Sequence, residues 1–71
     1  MDNVQMPMVG KIVKIDVKDG DKVEAGQDLA TFESMKMEMP LVAPVAGKVL
    51  EVHAEVGQVV EAEQPFCTIE D

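Results

Sequence analysis

The chain has 71 residues, 46% of them hydrophobic, which suits one folded domain and leaves no room for a catalytic domain beside a substrate domain. Six lysines, no arginine and fourteen acids give a net charge of −8, the wrong sign for neutralising phosphate, which argues against nucleic acids and anionic membrane surfaces as partners. Phe32 and Phe66 are the only aromatics, too few for base stacking, and the single cysteine, Cys67, makes neither an internal disulfide nor a metal cluster.

Met1-Asp2-Asn3 does not form a secretory signal and no run is long and apolar enough to span a membrane, so the cytosol is the expected compartment. From residue 7 the chain repeats itself. Residues 7–34 overlay residues 44–71 at an offset of 37 without a gap, and ten of the 28 pairs are identical, among them Gly10/Gly47, Lys11/Lys48, Gly20/Gly57, Val23/Val60 and Glu33/Glu70. Two copies are too few for a solenoid. The pattern predicts one domain over 1–71 with approximate two-fold symmetry, each half burying what the other exposes.

Each copy reads as β-structure. In the first, Val13, Ile15 and Val17 alternate with Lys14, Asp16 and Lys18, a period of two that predicts an inward face on the apolar set. Leu50, Val52 and Ala54 repeat it in the second. Turns are expected at Asp19-Gly20 and Val56-Gly57, and again at Ala25-Gly26 and Ala62-Glu63. The last strand of each copy is predicted at Leu29–Ser34 and Phe66–Glu70. All five glycines are read as turn or bulge positions. The expected object is a small antiparallel sandwich or flattened barrel of two short sheets.

Residues 35–43 lie between the copies and belong to neither. A strand ending at Ser34 and another running over Glu38–Val42 leave two or three residues for a turn. Lys36 is therefore predicted at or beside a hairpin tip, at the pseudo-symmetric centre of the chain and opposite its two ends. Such a tip holds one side chain far into solvent on a rigid base, which suits presentation to another protein's active site.

The tip reads Glu33-Ser34-Met35-Lys36-Met37-Glu38. This resembles the attachment signature, usually Ala-Met-Lys-Met, of biotin carboxyl carrier domains. With Gly10, Gly20, Val23, Gly26 and Gln27 ahead of it and Gly47, Gly57 and Val60 behind, nearly the whole chain is similar to the biotinyl/lipoyl domain family. Ser34 stands where the signature usually has alanine. Ile15–Gly20 runs directly into its turn, without the protruding thumb of many bacterial acetyl-CoA carboxylase carriers, so the chain resembles the thumbless members.

The resemblance implies two four-stranded antiparallel sheets with the modified lysine on a protruding hairpin. It also implies covalent biotin on Lys36, attached by a biotin protein ligase. The loaded carrier would shuttle carboxyl groups between a biotin carboxylase, or another carboxyl donor, and a carboxyltransferase, with no bond-making catalysis of its own. Met35 and Met37 either fill gaps beneath the hairpin or are read by the ligase; their bracketing of Lys36 favours recognition. Met39 is expected to fill a gap. Glu33 and Glu38 either steer the ligase or solvate the surface, and Glu33 has a repeat counterpart in Glu70. Two alternatives share the scaffold: a lipoyl carrier of a 2-oxo acid dehydrogenase-type complex, whose signature commonly has Asp before the lysine where Met35 stands, and an unmodified adaptor module. His53 has no histidine or cysteine partner for a metal. Cys67 aligns with Ala30, which predicts a small, semi-buried, unreactive position.

Overall fold

The computed structural model describes residues 2–71. Eight strands follow in chain order: β1 (Asp2–Gln5), β2 (Gly10–Ile15), β3 (Lys22–Val23), β4 (Asp28–Ser34), β5 (Met37–Val42), β6 (Gly47–Val52), β7 (Val59–Val60) and β8 (Pro65–Glu70). They form two antiparallel four-stranded sheets, ordered β1-β8-β6-β3 and β5-β4-β2-β7, within an envelope of 32 × 17 × 17 Å. This is the flattened barrel the repeat predicts, with no helix among the described residues.

The 37-residue offset governs the interior. The core is Val4, Met6, Ile12, Val17, Val23, Leu29, Ala30 and Phe32 together with Leu41, Ala43, Val49, Ala54, Val60, Phe66, Cys67 and Ile69, and each of the first eight is the repeat mate of one of the second eight. Volumes are exchanged within the pairs. Leu29 faces the larger Phe66 as its mate, while Phe32 is matched by the smaller Ile69. A two-fold core tolerates such swaps when the total volume is kept.

The turns reach across the two-fold in matched hydrogen bonds. Gly20 N–H donates to the Val49 carbonyl at 2.7 Å, and Gly57 N–H donates to the Ile12 carbonyl at 2.7 Å. Both glycines have positive φ, 95° and 93°, a conformation that a side chain penalises. These crossings carry β3 into the sheet of the second copy and β7 into that of the first. Neither half completes its sheet alone, because each edge is closed by a strand from the other.

Four readings of the sequence are corrected. Val13 and Leu50 point to solvent, while Ile12 and Val49 are fully buried. The register shifts between Ile12 and Lys14 and between Val49 and Glu51, so a bulge in each copy flips the strict alternation. Residues 39–43 are not outside the repeat: Leu41 and Ala43 on and after β5 are the mates of Val4 and Met6 on and after β1. Met6 N–H donates to the Gln64 carbonyl at 3.0 Å, as Ala43 N–H does to that of Gln27 at 2.9 Å. Strand β1 escapes sequence reading because Val4 is its one apolar residue.

The third correction concerns Gly10 and Gly47, which lie in β2 and β6 and not in turns or bulges. A Cβ on Gly10 would sit 2.5 Å from Phe32 Cδ2. On Gly47 it would strike the Glu70 carbonyl oxygen and lie 2.8 Å from Ile69 Cγ2. Both are glycine because a neighbouring strand approaches too closely for any side chain. The fourth concerns Cys67, which is fully buried rather than semi-buried.

Candidate functional site

Strands β4 and β5 converge on a turn of two residues. Ser34 and Met37 are the last paired residues, and Met35 and Lys36 make the connection. Their φ angles are 53° and 63°. Two consecutive positive φ values describe a type I′ turn, whose twist matches that of the flanking strands. Lys36 thus stands at the tip, where the sequence places it. By the two-fold, the counterpart of this turn is the break between β8 and β1.

Met35 is 90% exposed and Met37 is 65% exposed, so neither fills a gap beneath the hairpin. Met39 does, packing half-buried against the core. Ser34 is buried beneath the turn. Lys36 is exposed, and its amine makes no ion pair or hydrogen bond with any described residue.

Glu33 and Glu38 are direct cross-strand partners, both exposed, and Glu33 is flanked on its other side by Lys11 of β2. Like charges in one cross-strand pair cost stability, and the adjacent lysine offsets part of it. Lys48 and Glu70 repeat the Lys11–Glu33 pairing in the other sheet. A pair kept in both copies serves the scaffold. Glu38 has no such mate among the described residues and belongs to the tip. The sequence reading did not single out Lys11; its identity with Lys48, beside that of Glu33 with Glu70, was the available signal.

The remaining candidates lie elsewhere. His53 Nε2 is 3.0 Å from Thr68 Oγ1, which donates onward to Asn3 Oδ1 at 3.1 Å. Because the hydroxyl proton is used on Asn3, the ring nitrogen is the donor, and the chain of contacts ties β1 to β8. Burial pushes the Cys67 thiol up to about 11, which keeps it protonated and inert at neutral pH. Among the described residues no pocket forms, and no three His, Cys, Asp or Glu side chains are grouped to hold a metal ion.

Comparison with known proteins gives three kinds of likeness. The family described as biotin-requiring enzyme matches residues 2–69. The chain is 52% identical over 40 residues to the biotin/lipoyl attachment protein of Bacillus subtilis, covering 56% of this chain and 55% of that one. It is 54% identical over 41 residues to the biotin carboxyl carrier protein of acetyl-CoA carboxylase from Solanum lycopersicum, covering 58% of this chain and 59% of that one. The matched stretches thus span less than two thirds of either relative. The crystal structure of Kluyveromyces lactis urea carboxylase superposes with a TM-score of 0.90 at 32% identity, covering 97% of this chain and 6% of that one.

Proposed function

The chain belongs to the biotin-requiring enzyme family, and on that premise we propose that it is a biotin carboxyl carrier loaded at Lys36. The observation that supports this most directly is the tip itself: a lysine with no partner among the described residues, in a two-residue turn and bracketed by two solvent-exposed thioethers. The tip fits the group. Lys36 supplies a free primary amine for an amide bond, and nothing in the hairpin obstructs an arm extending from it.

Biotin, once bound, supplies a ring nitrogen able to carry a carboxyl group. The chain's own residues supply position. Lys36 Nζ, deprotonated in the ligase's site, attacks the activated carboxyl carbon of biotin; a C–N bond forms and the leaving group departs. Met35 and Met37 offer the ligase soft apolar contacts on either side of that amine. Ser34 and the β4–β5 ladder hold the turn rigid, and Glu38 places negative charge beside it for a basic partner surface. Both half-reactions fall to partners, a biotin carboxylase or other carboxyl donor and a carboxyltransferase. Tethering makes each visit effectively intramolecular.

Met35 also favours biotin over lipoate, since lipoyl signatures commonly carry an acid at that place. The test is to incubate the chain with biotin, ATP and biotin protein ligase, and in parallel with lipoate and lipoate ligase, and to map the modified residue by mass spectrometry. One biotin on Lys36, lost entirely in Lys36→Arg with the fold retained, is the expected result. Persistent streptavidin labelling of Lys36→Arg at Lys11 or Lys48 would overturn the assignment.

A further inference from the structure

The structure ranks the described methionines by exposure. Met6 is 1% exposed in the core, Met39 is half-buried against it and Met8, between β1 and β2, is 38% exposed, whereas Met35 and Met37 stand 90% and 65% exposed on the two sides of Lys36. The sole cysteine is buried and Met8 is only 38% exposed, so among the described residues the most accessible soft sulfurs are the two that bracket Lys36. Thioethers are oxidised according to their access to solvent, and oxidation turns a flexible apolar side chain into a polar, chiral one. In the core that change would break packing. At the tip it leaves packing untouched and alters only what a partner meets around the amine.

We propose that Met35 and Met37 form a reversible peroxide-modification site that gates the loading of Lys36. The sulfur lone pair attacks one oxygen of a hydroperoxide; the O–O bond breaks, an S–O bond forms, and water or an alcohol leaves with the other oxygen. The sulfur gives up two electrons and the peroxide accepts them. Methionine sulfoxide reductases restore the thioether, with two thiols becoming a disulfide and the oxygen leaving as water. The sulfoxides would flank the amine with strong hydrogen-bond acceptors where the ligase meets apolar thioethers, so loading slows while oxidant is present. This rests on Lys36 being the biotin site.

The experiment treats the 71-residue chain with hydrogen peroxide, maps added oxygen by peptide mass spectrometry, and follows biotinylation before and after treatment. Met35 and Met37 should gain oxygen before the less exposed Met8 and well before Met6 and Met39, and the initial rate of biotinylation should fall severalfold with the unfolding midpoint unchanged. Methionine sulfoxide reductases should restore the rate. In the double variant Met35→Leu, Met37→Leu, the ratio of rates after and before peroxide should stay at one, whatever the starting rate. An unchanged rate in wild type carrying oxygen at both positions overturns the gate, as does oxidation of Met6 or Met39 ahead of the tip. No biotinylation of the untreated chain would instead overturn the carrier assignment beneath it.

Discussion

Met35 and Lys36 sit side by side in left-handed backbone, at φ 53° and 63°, although neither is the glycine or asparagine such a turn prefers. A left-handed conformation costs an ordinary residue about 1–2 kcal/mol. Here that strain falls on the residue proposed to react and on its neighbour. Strain kept at one point while the ladder beside it is regular marks a place where side-chain identity outweighs local stability.

The double variant Met35→Asn, Lys36→Gly should therefore fold more stably than wild type, by about 1 kcal/mol or more, while losing all modification. Urea unfolding gives the first quantity and streptavidin blotting the second. An unchanged or lower midpoint would show that the turn carries no such strain.

Gly47→Ala should destabilise the domain by about 2–3 kcal/mol, because the new methyl meets the Glu70 backbone and Ile69, neither of which can retreat without opening β8. Gly10→Ala should cost less, about 1–2 kcal/mol, since its nearest obstacle is the edge of the Phe32 ring. Paired denaturation curves check the order. Equal, negligible losses would contradict the close strand approach.

Changing Met35→Asp places a carboxylate beside the Lys36 amine on an exposed turn. Stability should move by only a few tenths of a kcal/mol. Biotinylation should slow much more than that, since the acid pairs with the attacking group and intrudes on an apolar contact. The Asp-Lys pair also recreates the lipoyl-type sequence, so lipoate ligase should act on the variant faster than on wild type. Initial rates with both ligases test this; equal biotinylation of the two proteins removes Met35 from recognition.

Cys67 gives a pH dependence with a definite sign. Burial raises its thiol from an ordinary 9.0 to about 11, so the folded state holds the proton more tightly than the unfolded chain. Its contribution is intact below pH 9 and is lost as pH rises through 11, by up to about 3 kcal/mol. Wild type should lose more stability between pH 7.5 and 10.5 than Cys67→Ala, which matches Ala30 in the other copy. A thiol reagent should react with native protein only as fast as it unfolds.

Much of this was legible in the linear chain, for a physical reason that the tip and the bulges illustrate in opposite ways. Lys36 could be placed because a hairpin is local: a strand before it, a strand after it, and two residues left over. The exposure of Val13 and Leu50 could not, because a bulge is a mismatch between two strands. Its position depends on how the partner's hydrogen bonds fall, on Thr31 in one sheet and Thr68 in the other.

The sequence by itself determined the all-β class, the 37-residue two-fold and the residue at the tip, since all three follow from periodicity and from turns between near neighbours. Only the tertiary structure decided that β3 and β7 change sheets, that β1 is the mate of β5, and that Gly10 and Gly47 mark close contacts and not turns. Those features are made of backbone groups far apart in the chain, such as Gly20 on Val49 and Gly57 on Ile12. Their partners come into reach only when both halves have closed over one shared core.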